Sequence, residues 1–434
     1  MRFVSTRGNA PAATLSDAIN AGLAPDGGLY VPENMPHLSP DDFPQGLSLA
    51  QTAAYLLAPF FAGDALAPEL KAICAEAFAF DAPHRALAMP GAHVLELFHG
   101  PTAAFKDFGA RFLAACMRRL RADATRPLTI LVATSGDTGA AVGAAFHRVP
   151  GMRVAILYPD HRVSPRQAHQ LGSFGDNVDA LRVAGSFDDC QRMVKAALGD
   201  RQLQADVPMS SANSISLGRL LPQMAYYAHA ALNHWRRTHD ALNVMVPTGN
   251  LGNAVACLWV RAMGLPVGEV MFACNANDTL PQFYAGAPYR GRDAIATIAN
   301  AMDVGAPSNF ERLAHLFGGE DAARANGHAQ SVDDAEIRDV VRRHALSDGE
   351  IYCPHTATAI RVLERQRLAG DHRAWTVVAT AHPAKFDTIV EPLVGRPIRV
   401  PDALGAMLDR PAYAAPMAAD HGVFHHWLRH GRAA

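Results

Sequence analysis

The strongest restriction on the fold is a repeated alternation of texture. From about Val94 onward, short β-rich runs end in glycine-containing loops and pass into helical patterns. Residues 128–133 form one such run, followed by the loop 134–139 and an Ala-rich helix; the runs 153–158, 180–183, 243–246, 270–273 and 375–379 repeat the scheme. Strands alternating with helices predict a parallel sheet covered on both faces, an α/β architecture whose ligands sit at the carboxyl ends of the strands. Ahead of this region lie turn-forming segments such as Pro25-Asp26-Gly27-Gly28 and helical patterns over 47–61 and 68–80, which read as an N-terminal domain. Residues 278–349 are punctuated by Gly, Asn and Pro and carry one charged helix near 333–346.

Composition narrows the function. The formal net charge is −2 over 434 residues, with acids and bases mixed along the chain, so the basic footprint of a nucleic-acid binder is missing. The charge-free stretch 241–260 contains Asn243, Pro247, Gly249, Asn250, Gly252 and Asn253, a poor membrane span. Arg2 and Arg7 interrupt the first ten residues, and no cleavable leader is expected. The six cysteines are far apart with no C-x-x-C pair, which argues against a zinc ribbon or a disulfide framework and for a reducing, cytoplasmic setting. Of the 39 Lys and Arg residues only four are lysine: Lys71, Lys106, Lys195 and Lys385. Codon bias accounts for abundant arginine, but each surviving lysine invites a chemical question.

Lys106 answers it best. It follows His99-Gly100-Pro101-Thr102-Ala103-Ala104-Phe105 and opens a helix whose Phe108, Phe112, Cys116 and Leu120 recur every four residues. A cation at a helix N-terminus opposes the macrodipole, so the place suits an amine that can be neutral. A desolvated ε-amine of lowered pKa attacks carbonyls and forms Schiff bases, which arginine cannot do. The competing reading is a solvated lysine paired with Asp107. Lys385, in Thr380-Ala381-His382-Pro383-Ala384-Lys385, reads at least as well as a surface residue, while Lys71 and Lys195 lie in ordinary helical patterns.

Three loops complete the set. Thr248-Gly249-Asn250-Leu251-Gly252-Asn253 joins a strand to a helix and lacks any cation, which suits a phosphate that stays bound; taken alone it reads equally as a tight Gly-rich connection. The loop Thr134-Ser135-Gly136-Asp137-Thr138 offers hydroxyls and open N–H groups for an anion, or an Asp137 cap. Ser211-Ala212-Asn213 through Arg219 is either a helix cap with spare serines or a phosphate edge with Arg219 as its cation. The terminal His421, His425, His426 and His430 fit an amphipathic helix better than a metal site, and no metal is expected.

A Schiff-base lysine, a separate phosphate cradle and a hydroxyl at a strand end are the parts a pyridoxal-phosphate site needs. Over Ser5–Gly8 (Ser-Thr-Arg-Gly), 25–29, 97–108, 134–139, 211–221, 250–253, 300–304 and 380–386 the chain resembles threonine synthases of the long bacterial and fungal type. The resemblance implies pyridoxal-phosphate fold type II, shared with the tryptophan-synthase β-subunit group. It further implies an N-terminal extension over 1–92, a smaller α/β domain with the lysine over 93–225 and a larger α/β domain over 226–434. It implies that Lys106 holds pyridoxal 5′-phosphate as a Schiff base, that Gly249, Asn250, Leu251, Gly252 and Asn253 bind its phosphate, and that Thr380 hydrogen-bonds the ring nitrogen. Asp137 stands where many fold type II relatives carry Asn beside the cofactor. Thr134, Ser135 and Thr138 would receive the substrate's acidic groups, and Ser211, Asn213 and Arg219 its phosphate. The implied reaction converts O-phospho-L-homoserine and water to L-threonine and phosphate, in a cytoplasmic monomer or homodimer. The alternative is another fold type II lyase, such as a serine/threonine dehydratase or a phospho-lyase that stops after elimination; a non-catalytic phosphate-binding module is disfavoured by Lys106.

Overall fold

The computed structural model describes residues 1–161 and 163–431. Its scaffold is two mainly parallel sheets. The six-stranded sheet runs His328–Ser331, Val267–Cys274, Leu242–Pro247, Trp375–Ala379, Ala92–Glu96 and His84–Ala86, all neighbours parallel except the last hairpin. The five-stranded sheet runs Ala415–Ala418, Val178–Ala184, Met152–Pro159, Leu128–Ala133 and Met209–Ser211, all parallel. Every residue of Leu128–Ala133 and Trp375–Ala379 is buried, as strands with helices on both faces must be.

Predicted strands 128–133 and 375–379 coincide with observed ones, and the other runs extend by one to three residues at their ends. The domain lines drawn at 93–225 and 226–434 differ from sheet membership in two places. Strand Ala92–Glu96 pairs with Trp375–Ala379 in the larger sheet, whereas the helix that follows it, Lys106–Leu120, packs beside Asp137–Phe146 of the smaller one. The late strand Ala415–Ala418 returns to pair with Val178–Ala184. A parallel neighbour need not be close in sequence, so linear boundaries miss such crossings.

The N-terminal segment is built on strong local signals. Thr14 caps Leu15–Ala21, and Ser48 with Gln51 forms a capping box on Leu49–Phe61. Its aromatic residues cover the apolar stripe of Lys106–Leu120: Phe61 meets Phe112 edge-on at 6.1 Å and Phe78 lies 5.8 Å from Phe108. A short antiparallel pair, Phe3–Ser5 with Tyr30–Pro32, is tied to the body by Arg312. That guanidinium is fully buried and donates to Tyr30 O (3.0 and 3.1 Å), Ile215 O (2.8 Å) and Asn309 Oδ1 (2.8 Å). Replacing it by an apolar side chain strands buried acceptors, so Arg312→Met is expected to cost about 3 kcal/mol or more, measured as a drop in urea unfolding free energy. A variant within ~0.5 kcal/mol of wild type would contradict that account.

Candidate active site

The carboxyl end of strand Trp375–Ala379 is stitched to the turn preceding Lys106. Leu97 N–H donates to Ala379 O (2.9 Å), Phe105 N–H to Thr380 O (2.8 Å) and His382 N–H to Ala103 O (3.0 Å). Thr380 therefore lies against the start of the helix Lys106–Leu120, whose first residue is the lysine itself. Asp107 does not pair with it: that carboxylate accepts from Thr102 Oγ1 (2.7 Å) and Thr102 N–H (2.9 Å). Lys106 is half-buried with its Nζ 5.8 Å from the Phe105 ring centroid. Burial, helped by the cations of Arg219 and Lys385 and opposed by Asp137, pulls the amine down to about 8.

Lys385 is not on the surface. It is fully buried in the turn Pro383–Phe386, with Nζ 2.9 Å from Asp137 Oδ1 and 2.7 Å from Thr102 O. Gln167 Nε2 donates to the same Asp137 oxygen (3.0 Å), and Asn300 Nδ2 donates to Gln167 Oε1 (3.2 Å). Gly136, at φ 133°, permits this approach, because a Cβ there would lie 2.6 Å from the Gln167 amide nitrogen. Burial pushes Asp137 upward, but the ammonium groups of Lys385 and Lys106 outweigh it and hold the carboxyl below the usual range. Thr134 Oγ1 accepts from Gly136 N–H (3.0 Å) and Gly139 N–H (2.9 Å), so its lone pairs brace the loop, while Ser135 and Thr138 are half-buried.

The third wall is the loop between Leu242–Pro247 and the helix Gly252–Ala262. Among the described residues the backbone N–H groups from Gly249 to Asn253 have no hydrogen-bond partner, and Leu251 turns the chain at φ 64°. Gly249 packs against the Asn300–Met302 turn so tightly that a Cβ would sit 2.7 Å from Met302 Cα. The Asn250 side chain is committed to Ser214 Oγ and Ser308 N–H, both at 2.5 Å. Asn253 Oδ1 accepts from Tyr226 (2.5 Å) and Tyr227 (2.9 Å), leaving its buried Nδ2 unpaired. On the remaining side, Ser211 Oγ accepts from Asn213 N–H (3.3 Å) and Arg219 Nη1 donates to Ala212 O (2.6 Å). Asn213 Oδ1, Ser216 Oγ and Arg219 Nε are buried without partners, and burial, opposed by Asp107, lowers Arg219 to about 10.

Unpaired buried polar atoms, a row of open N–H groups and a lysine of lowered basicity fit a carbonyl-bearing phosphate ester such as pyridoxal phosphate. Residues 92–383 match the family of pyridoxal-phosphate dependent enzymes, and residues 2–78 match the threonine synthase N terminus. The chain belongs to the threonine synthase family of pyridoxal-phosphate dependent enzymes. A threonine synthase of Escherichia coli strain K12 is 37% identical over 424 residues, 97% of each chain. The crystal structure of the Escherichia coli threonine synthase superposes with a TM-score of 0.92 at 34% identity, covering 100% of both chains. A pyridoxal-phosphate-bound threonine synthase from Brucella melitensis gives 0.90 at 34% identity over 99% of both. Among the described residues no helix is long and apolar enough to cross a membrane.

Sequence reasoning missed Gln167, Asn300 and His355, which surround Asp137 and Lys385, and left Lys385 without a role. Only 300–304 had carried a signal, as one of the segments resembling the family. Asp137→Ala leaves a buried ammonium unpaired and is expected to cost about 3–5 kcal/mol at neutral pH, most of it recovered in Asp137→Ala/Lys385→Met. Because the folded state holds Asp137 low, its contribution is complete above about pH 4 and falls away as pH drops below that. Urea unfolding at pH 7 and pH 3 measures both effects.

Proposed function

We infer that this chain is a threonine synthase, converting O-phospho-L-homoserine and water into L-threonine and phosphate with pyridoxal phosphate as cofactor. Bound there, the cofactor supplies an electron sink that stabilises negative charge developing at the substrate's Cα and beyond. Lys106 would hold its carbonyl carbon, the open N–H groups of Gly249, Asn250, Leu251, Gly252 and Asn253 would hold its phosphate, and Thr380 would offer its ring nitrogen a neutral hydroxyl, which does not favour protonation there as a carboxylate would. Asn250 acts through its backbone, because its side chain joins two neighbouring loops.

When the substrate amine takes the place of Lys106, Nζ becomes the base that removes the Cα proton, and the same amine helps shift the Cβ proton. Ser211, Asn213 and Arg219 would hold the substrate phosphate as it leaves Cγ; Arg219 Nε and Asn213 Oδ1 are buried without partners. The Oδ1 acceptor suits a protonated phosphate oxygen. Ser135 and Thr138 receive the carboxylate beside the bracing hydroxyl of Thr134. With the cofactor bound, Lys106 Nζ would be the group positioned to return protons to the substrate carbons before threonine leaves. Asp137 is kept ionised by Lys385 and fixes the loop. The small-molecule substrate requires no macromolecular partner; on the same reading the enzyme is cytoplasmic and acts as a monomer or homodimer.

The observation that carries this reading is Lys106: a helix-opening amine with no carboxylate in salt-bridge contact among the described residues, next to Thr380 and lowered in basicity. Borohydride reduction of the purified, yellow holoenzyme is expected to fix the label on Lys106, and phosphohomoserine is expected to yield threonine and phosphate in equal amounts. A label on Lys385, or a 2-oxo acid as product, would overturn it. Since attack on a carbonyl needs the neutral amine, recombination of apoenzyme with pyridoxal phosphate should quicken by about tenfold per pH unit below pH 8 and level off above it. A rate still climbing at pH 10 would place the amine at its ordinary value.

A further inference from the structure

His355 occupies the second position of the helix Pro354–Leu368 and is 3% exposed. Its Nε2 lies 3.1 Å from the backbone nitrogen of Ala301, whose N–H only donates, so Nε2 carries the lone pair. The proton of the neutral imidazole is then on Nδ1, and Nδ1 is buried with no hydrogen-bond partner. The ring is held on one side by Phe386, centroids 4.9 Å apart at 54°, and on another by the 300–302 turn that also abuts Gly249 and Gln167. The charged groups that face it are Asp137, Lys106 and Lys385. Burial, together with the two ammonium groups and against Asp137, drives the imidazole down to about 4, which keeps it neutral and a donor at working pH.

A buried donor with no protein acceptor, close enough to feel the charges of Lys106 and Asp137, calls for an acceptor brought in from outside. The local charge selects its kind. Lys385 and Arg219 are faced by Asp137 and Asp107, whose carboxylates already serve Lys385, Gln167 and Thr102, and Lys106 adds a further amine, so no carboxylate oxygen is left over for the imidazole and the acceptor it lacks is an anionic oxygen of a bound ligand. We propose that His355 Nδ1–H donates a hydrogen bond to an anionic oxygen of the bound ligands, either the phenolic oxygen of the cofactor or the carboxylate of the substrate. The proposal rests on the pyridoxal-phosphate reading above. It makes His355 a ligand-binding residue with a tautomer set by the Ala301 backbone.

Two substitutions separate this role from mere packing. His355→Gln can still accept from Ala301 N–H through Oε1 but loses the Nδ1 donor; His355→Asn places an amide donor near Nδ1 and gives up the Ala301 contact. Both are compared with wild-type holoenzyme by the visible absorbance of the bound cofactor against pH, the dissociation constant for pyridoxal phosphate, and KM and kcat for O-phospho-L-homoserine. If the acceptor is the cofactor's oxygen, His355→Gln weakens cofactor binding about tenfold and shifts the absorbance titration before substrate is added. If it is the substrate carboxylate, the resting spectrum is unchanged and KM rises about tenfold. In either case His355→Asn recovers most of the loss. The proposal is overturned if His355→Gln keeps its spectrum, cofactor affinity and KM within twofold of wild type, or if both substitutions lose equally alongside a matching fall in thermal stability. Labelling of Lys106 by borohydride is run in parallel. If wild type takes no label there, the cofactor reading itself fails, and that result is distinct from a labelled enzyme indifferent to His355→Gln.

Discussion

Everything around the lysine depends on the fully buried ion pair between Lys385 and Asp137. Lys385 belongs to the turn after the central strand of the larger sheet, and Asp137 opens a helix of the smaller one. Dehydrating both ions offsets much of their attraction, so the pair contributes registration between the two sheets more than net stability. It also sets the potential felt by Lys106. Burial is the main force against a charged amine, Asp137 opposes it, and the ammonium of Lys385 adds a smaller push in the same direction as burial. One contact thus couples the alignment of the two walls to the protonation of the amine between them.

A second layer is made of amide side chains and one guanidinium. Asn300 reaches Gln167, Asn309 reaches Asn250 O, and Arg312 reaches Asn309 together with the N-terminal segment. Each amide has both donor and acceptor, so these residues fasten backbone segments without adding charge beside a site that gathers anions. The N-terminal extension is bound into that network through Tyr30 O, which makes it part of the support for the phosphate loop and not an appended module.

Much of this was legible in the sequence because it is local. Strands buried on both faces announce themselves as apolar runs, and the Lys106 helix shows its period. The loop after Val246 declares itself by composition. What escaped was non-local. The strands His84–Ala86, Met209–Ser211, His328–Ser331 and Ala415–Ala418 are three or four residues long, too short to display a period of two. Lys385 looked like a surface residue because its partner lies far away at Asp137, and no nearby residue hints at the pairing. Thr134 reads as a ligand hydroxyl, and the folded turn adds what the sequence does not show, that its oxygen also accepts two N–H groups of its own loop. His355 sits at a helix start behind Pro354, where the sequence pattern alone marks nothing but a boundary.

The return of Ala415–Ala418 to the smaller sheet bears on how the chain comes to be folded. Synthesis delivers residues from the amino end, and the strands Leu128–Ala133, Met152–Pro159 and Val178–Ala184 emerge long before their outer neighbour. Until then the edge of Val178–Ala184 offers unpaired N–H and C=O groups, a template for pairing with other chains. Closing it requires one of the largest sequence separations in the molecule, a step that topology makes slow. The nascent smaller sheet therefore keeps an open edge on the ribosome until residues 415–418 arrive to cover it.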